Sequence, residues 1–174
     1  TFLDLNAAGL DGKTRKVLTE TTPTWVEVYD NPIFSDSGAA NGMMVWQSAR
    51  NGWKHLYLYD NNGKLVRQLT NGKWEVRNLY GVDEKNGWAY FSATKDSHIA
   101  ENIYRVRLSG GEPERLSRGD GWHAGAFNKT FSHYVENWSD VLNPTQTRLF
   151  RSDGTLERII NENKVEVTKQ YKTS

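Results

Sequence analysis

A repeat of about 48 residues is the feature of this chain that most restricts its fold. A short apolar segment that ends in Leu-Thr or Leu-Ser is followed, a few residues later, by a tryptophan. The three copies are Leu18 with Trp25, Leu69 with Trp74, and Leu116 with Trp122, and a weaker fourth copy lies at Ile160. Repeats of this length are typical of solenoids, propellers and other arrays of one supersecondary unit.

Each repeat predicts the same set of four short strands. The predicted strands are residues 28–34, 42–48, 54–59 and 64–69; 75–82, 88–93, 102–108 and 113–116; and 122–127, 131–137, 147–151 and 156–160. The opening segment supplies a third and a fourth strand only, at residues 2–6 and 14–18. Glycine and asparagine between the third and fourth strands, as in Asp11-Gly12 and Asn61-Asn62-Gly63, are typical of tight hairpin turns.

The apolar pattern favours a propeller over a sandwich. The middle strands are apolar on both faces, as at residues 56–59 and 88–91, whereas a sandwich strand normally alternates because one face meets water. The fourth strands carry charges, which is typical of the outer rim of a blade. We therefore predict an all-β fold, a partial β-propeller of about three and a half four-stranded antiparallel blades. A sandwich and an open β-meander are the alternatives.

The same spacing predicts the domain organisation. We expect β-propeller blades over residues 1–160, with a half blade at 1–20 and blades at about 25–70, 74–117 and 122–160, followed by a linker at 161–174. Because residues 2–6 already have a strand pattern, we expect an excised segment, with a chain cut by a protease as the alternative. A partial ring leaves two blade faces without neighbours, so we also expect self-association.

Composition excludes several classes of function. A net charge of +1 gives no electrostatic indication of nucleic-acid binding, and the chain has no apolar run of about 18 residues that could span a membrane. Without cysteine, disulfides and thiolate metal sites are impossible. The 37% hydrophobic and 25% charged residues are those of an ordinary globular protein.

No sequence motif for catalysis is present. The chain lacks the Gly-x-Ser-x-Gly elbow, the Walker loop and the Gly-x-Gly-x-x-Gly fingerprint. The four histidines, His55, His98, His123 and His133, do not have the spacing of a metal motif, and we interpret them as structural or solvent-facing. We therefore predict no catalytic residue, no cofactor and no metal in this chain.

The repeat tryptophans allow two interpretations. We expect Trp25, Trp74 and Trp122 to pack between blades because they recur with the repeat, the alternative being a platform on which sugars or peptides stack. Glu27 and Glu75 lie where the innermost strands begin. Polar side chains at that place can line the central channel of a propeller.

Five segments in the same order resemble dipeptidyl peptidase IV propellers in their bacterial forms. They are Arg50–Asp60, Gln68–Val76, Gly81–Gly87, Asn102–Val106 and Gly110–Leu116. The resemblance extends over roughly residues 16–160. Members of that family are serine exopeptidases that release N-terminal dipeptides with Pro or Ala in second position. Their eight-bladed propeller caps an α/β-hydrolase domain that carries the Ser-Asp-His triad.

The resemblance implies that this chain is the C-terminal part of the propeller, with residues 161–174 leading to a hydrolase domain outside the sequence. The triad, and the glutamate pair that holds the amino terminus of the substrate, would also lie outside it. The chain would then wall the substrate cavity and restrict access, without activity of its own. Its partners would be the peptide substrate and the hydrolase domain, and its location periplasmic or in the cell envelope.

One site residue follows from the resemblance. The family places an aromatic residue facing the extended substrate pocket just after a Trp-Val pair, and Tyr29 stands at that place after Trp25-Val26. Some relatives carry Phe there, and a packing role is the alternative. The rival function is a non-enzymatic binding propeller that recognises a protein or a glycan.

Overall fold

The computed structural model describes residues 1–22, 25–27, 29, 32–38 and 41–164. Within these ranges the regular structure is almost entirely β. The strands are β1 (Phe2–Ala8), β2 (Thr14–Thr21), β3 (Ile33–Ser35), β4 (Met43–Ser48), β5 (His55–Asp60), β6 (Leu65–Gln68), β7 (Val76–Asp83), β8 (Trp88–Ala93), β9 (Asn102–Arg107), β10 (Glu114–Arg115), β11 (Trp122–Phe127), β12 (His133–Ser139), β13 (Gln146–Arg151) and β14 (Leu156–Asn161).

The strands form sheets in which neighbours in sequence are neighbours in space. Strands β1 and β2 form a two-stranded sheet 1, while sheet 2 (β3–β6), sheet 3 (β7–β10) and sheet 4 (β11–β14) are four-stranded. All of their pairings are antiparallel. Each sheet is therefore a simple up-and-down meander, and each four-stranded sheet is formed by the strands of one repeat.

The central strands are buried on both faces. In β5, Leu56 and Leu58 pack into a cluster shared with sheet 3, and Tyr57 and Tyr59 pack into a cluster shared with sheet 1. None of these four side chains is more than 5% exposed. Because successive strand residues point to opposite faces, sheet 2 is covered by a sheet on each side.

Sheet 3 repeats this arrangement. In β8, Ala89 and Phe91 face sheet 2. Trp88 and Tyr90 face sheet 4 and join Tyr134 in a third cluster, which sheets 3 and 4 share. The sheets thus follow one another as wedged layers, as the blades of a propeller do, and a two-layer sandwich is excluded. The prediction of an all-β partial propeller is confirmed, and the described sheets do not close into a ring.

The outermost strand of sheet 4 is exposed along its whole length. Every residue of β14 is exposed, including Leu156, Ile159 and Ile160, whose side chains are 43–50% accessible. At the other end of the series, Phe2 of sheet 1 is 72% exposed. Among the described residues, no further sheet covers either end.

The Leu-Thr and Leu-Ser ends of the repeats have a structural role. The hydroxyl oxygen of Thr70 accepts a hydrogen bond from the backbone N–H of Leu56 at 2.9 Å. That of Ser117 accepts one from Ile103 at 3.1 Å. In each case the segment that follows the fourth strand therefore binds the beginning of the third strand of the same sheet, at a buried N–H that needs a partner.

Several predicted strands are shorter than expected, and two of them directly follow a proline. The strand predicted at residues 28–34 is observed only as β3, and its residues 28, 30 and 31 lie outside the described part. Pro32, directly before β3, has no N–H to donate to a ladder. Pro113 has the same effect before β10. Of the predicted linker, Asn161 is the last residue of β14, and residues 165–174 lie outside the described part.

Two turn glycines differ in their surroundings. Gly12 and Gly63 have φ of 77° and 80°, respectively, in the left-handed region that glycine favours. A Cβ atom at Gly63 would overlap the carbonyl oxygen of Val17 in β2, whereas one at Gly12 would meet nothing within 4 Å. The β5–β6 turn thus packs directly on the backbone of the preceding sheet.

Candidate functional site

A cleft of about 540 Å³ lies at the loop edge between sheets 1, 2 and 3. Described residues of the β2–β3 connection, the loop from β4 to β5 and the residue before β7 form its walls. Its lining residues are Thr22, Trp25, Glu27, Tyr29, Ala49, Arg50, Gly52 and Glu75. The structure therefore brings together Tyr29, Glu27 and Glu75, which the sequence analysis singled out for separate reasons.

Tyr29 is half-buried in this cleft. The pKa of its phenol is raised from 10.0 to about 12, first by burial and then by the charge and the side-chain hydrogen bond of Glu27, with smaller contributions from Glu75 and Glu20. The ammonium group of Lys54 lies 4.9 Å from the centre of the Tyr29 ring. The ring is thus held between an acidic group and a cation, and its hydroxyl stays protonated at neutral pH.

A buried ion pair forms the floor of the cleft. Glu20 of β2 is only 4% exposed and accepts hydrogen bonds from Arg50 at 2.8 Å, Ser48 at 2.6 Å and the Trp46 indole at 3.1 Å. The Arg50 guanidinium also stacks 4.3 Å from the ring centre of Tyr57. These contacts fix the β4–β5 loop against sheet 1, so the cleft is rigid on that side.

Glu75 forms the opposite wall. Its carboxylate pairs with Arg77 at 3.0 Å, and its side chain remains 34% exposed. The backbone N–H of Glu75 donates to the hydroxyl of Thr94 at 3.1 Å, which ties the start of β7 to the end of β8. The carboxylate therefore has a defined position and is still accessible to a ligand.

The repeat tryptophans do not share one environment, so the expectation that all three pack between blades is wrong for two of them. Trp74 is 7% exposed, meeting the His55 ring edge-on at 4.8 Å and stacking on Phe91 at 6.4 Å. Trp25 and Trp122 are 74% and 53% exposed. Trp74 precedes β7, Trp122 is the first residue of β11 and Trp25 lies outside the described strands, so the three side chains leave the backbone differently.

The histidines lie apart from the cleft lining. The ring nitrogens of His55 contact Thr70 and the carbonyl of Gly72 at 3.1 and 3.0 Å, and burial lowers its pKa. His123 is fully buried against Glu136 at 2.8 Å, His133 contacts Ser132 at 2.9 Å, and His98 is exposed. The described residues contain no group of three potential metal ligands. They also include no helix long and apolar enough to cross a membrane.

The arrangement is suited to binding. The described lining combines two aromatic rings with two accessible carboxylates and includes no histidine that could activate a nucleophile. The sequence analysis did not identify Glu20, Arg50 and Lys54 as parts of the site. Buried and exposed side chains alternate at the end of β2, and Glu20 shares a strand face with the buried Leu18. This alternation could have identified Glu20 as inward-pointing.

Comparison with known proteins places the chain in one group. A family model described as the dipeptidyl peptidase IV (DPP IV) N-terminal region matches residues 3–145. The chain is 34% identical over 115 residues to a probable dipeptidyl-aminopeptidase B of Arthroderma gypseum, an alignment that covers 63% of this chain and 12% of that protein. It is 36% identical over 99 residues to dipeptidyl peptidase 4 of Arthroderma otae, covering 54% of this chain and 12% of that protein.

The fold agrees with these matches. The crystal structure of Porphyromonas gingivalis dipeptidyl peptidase 4 superimposes with a TM-score of 0.83 at 25% identity, over 96% of this chain and 23% of that one. The chain thus spans 12% of the length of the curated relatives named above and 23% of this solved structure.

Proposed function

Because this chain belongs to the dipeptidyl peptidase IV family and matches its N-terminal region, we propose that it walls the substrate cavity of a serine exopeptidase. The complete peptidase would release N-terminal dipeptides with Pro or Ala in second position. A hydrolase domain of the same polypeptide would supply the catalytic triad. The propeller would admit only short, unfolded peptide ends and would position them, which lowers the entropic part of the barrier.

The observation that carries this proposal is the position of Tyr29. Its ring lies half-buried in a cleft that also contains Trp25, two accessible carboxylates and the Arg50 of the Glu20–Arg50 ion pair. Such a combination of apolar rings and a few fixed polar groups is what a peptide-binding subsite requires. We assign Tyr29 to the extended part of the substrate pocket, where its ring would pack against the bound peptide.

Activity assays with two proteins test the proposal. We expect the full-length gene product to hydrolyse Gly-Pro-p-nitroanilide and the 174-residue chain alone to show no turnover, because the chain would lack the nucleophile. In the full-length protein, Tyr29→Ala should raise KM for a tetrapeptide about threefold or more, whereas Tyr29→Phe, which keeps the ring, should leave KM nearly unchanged. Turnover by the purified chain, or an unchanged KM in Tyr29→Ala, would contradict the proposal.

A second function has one observation in its favour. A separate cleft of about 550 Å³ is lined by the exposed Trp122, Ile99 and Val141, which suit a protein or glycan ligand. The reading frame of the gene separates the two functions. A frame that continues into a Gly-x-Ser-x-Gly elbow supports the peptidase, and a stop codon directly after Ser174 supports a non-enzymatic binding propeller.

A further inference from the structure

We propose that the Tyr29 cleft selects peptides that carry a basic side chain, and that Glu27 and Glu75 determine this preference. The inference rests on the proposed function in taking a peptide as the ligand, and it adds the charge of the residue that the cleft prefers. Four features of the cleft support it.

The first feature is the distribution of charge. Two carboxylates, Glu27 and Glu75, and one cation, Arg50, are among the described lining residues. The Arg50 guanidinium is already engaged by Glu20 at 2.8 Å and by the ring of Tyr57. Its charge is therefore compensated by a buried carboxylate, which leaves the carboxylates of Glu27 and Glu75 as the remaining charges of the lining, with the cations Lys54 and Arg77 outside it.

The second feature is the accessibility of these carboxylates. Glu27 is exposed, and the side chain of Glu75 is 34% exposed even though it pairs with Arg77. Arg77 is outside the lining set, so the cleft side of Glu75 can still accept a hydrogen bond from a ligand. An ammonium or guanidinium group entering the cleft would meet two carboxylates.

The third feature is the pair of aromatic walls. Trp25 is 74% exposed, and the ring of Tyr29 already holds the Lys54 ammonium 4.9 Å from its centre. Indole binds cations best among side chains, and the exposed Trp25 ring is open to a cation of the ligand. The methylene groups of a lysine or arginine of the peptide would lie on Trp25 while its head reached Glu27.

The fourth feature is the behaviour of Tyr29. Besides burial, the charges of Glu27, Glu75 and Glu20 all raise the pKa of its phenol, so a negative potential from these carboxylates acts on the ring. A neutral ligand side chain would gain nothing from that potential. A cationic one would be stabilised by it, and an anionic one would be repelled.

Matched peptides test the preference in the full-length gene product. Each peptide has Pro in second position, and lysine is compared with its uncharged counterpart norleucine in the first, third and fourth positions in turn. Both kcat/KM and calorimetric affinity are measured. We expect lysine to be favoured about fivefold at one of these positions, and the advantage to shrink in 0.5 M salt.

Variants assign the effect to the two carboxylates. Glu27→Gln should abolish the lysine advantage over norleucine, and Glu75→Gln should reduce it. Glu112→Gln supplies the matched control, since Glu112 is an exposed carboxylate outside the cleft lining, and should leave the advantage unchanged.

The outcomes separate the two proposals. Cleavage of all peptides with equal values for lysine and norleucine would overturn the inference and leave the peptidase assignment intact. Tighter binding of the lysine peptide without cleavage of any peptide would support the charge preference and contradict the peptidase assignment. A lysine advantage that survives Glu27→Gln and Glu75→Gln would also overturn the inference.

Discussion

At the scale of single residues, repetition in the sequence predicts where a side chain is but not what it touches. Trp25, Trp74 and Trp122 recur with the repeat, yet only Trp74 is buried. Trp74 lies two residues before β7, whereas Trp122 is the first residue of β11, so an equal place in the repeat is not an equal place in the strand. The ion pair of Glu20 and Arg50 could likewise not be predicted from the sequence. Glu20 lies in β2 and Arg50 lies in the β4–β5 loop, and neither belongs to a recognisable motif.

The raised pKa of Tyr29 provides a test of the cleft at this scale. Since Glu27 contributes through its charge and its hydrogen bond, Glu27→Gln should lower the Tyr29 pKa from about 12 towards 10.0, although burial, the largest cause, keeps it above that value. Ring-labelled tyrosine followed by NMR through an alkaline titration measures the change. An unaltered Tyr29 pKa in Glu27→Gln would show that the two groups do not interact.

The sign of the effect on stability follows from linkage. An unfolded chain releases the Tyr29 proton near pH 10.0, whereas the folded chain keeps it up to about pH 12. The contribution of Tyr29 to folding is thus fully present below pH 10 and is lost as the pH rises through this window. In Glu27→Gln the pH range over which this contribution is lost should be narrower, because the pKa of Tyr29 in the folded chain would be lower.

At the scale of strands and sheets, the sequence predicted more of the structure than it did for the contacts of single residues. The strands at residues 88–93 and 122–127 were predicted with the bounds they have in β8 and β11. For β8, a two-sided apolar run between turn residues leaves few alternatives. The prediction for residues 28–34 was less accurate, and Pro32 explains why β3 begins so late. Strand boundaries next to proline depend on which backbone groups find partners, which the apolar pattern does not show.

The two turn glycines offer a test of contact between sheets. Gly63→Ala should lower the free energy of unfolding by about 3 kcal/mol or more, because it combines a left-handed φ with overlap on the Val17 carbonyl. Gly12→Ala has nearly the same φ and open space around it, so its cost should be only about 1 kcal/mol. Urea unfolding of both variants measures the difference, and equal costs would mean that the β5–β6 turn does not pack on sheet 1.

At the scale of the whole molecule, both the number of blades and the open ring followed from the repeat. The apolar residues of sheets 2 and 3 are covered on both sides, while Leu156, Ile159 and Ile160 in β14 and Phe2 in β1 remain exposed. An antiparallel sheet with an uncovered apolar face is a site of association.

The isolated 174-residue chain is therefore expected to self-associate. Light scattering over a concentration series should show an average mass that rises above 19.9 kDa. Ile159→Lys combined with Ile160→Glu should reduce the association, whereas Glu112→Gln, far from that strand in sequence, should have no effect. A monodisperse monomer at high concentration would contradict this expectation.

Because each four-stranded sheet is formed by a contiguous stretch of about 40 residues, none of its strands depends on a partner that is synthesised much later. A nascent polypeptide leaving the ribosome can finish sheet 2 and lay sheet 3 upon it before sheet 4 has been translated. Vectorial synthesis would in this way keep the apolar faces uncovered only briefly, one blade at a time.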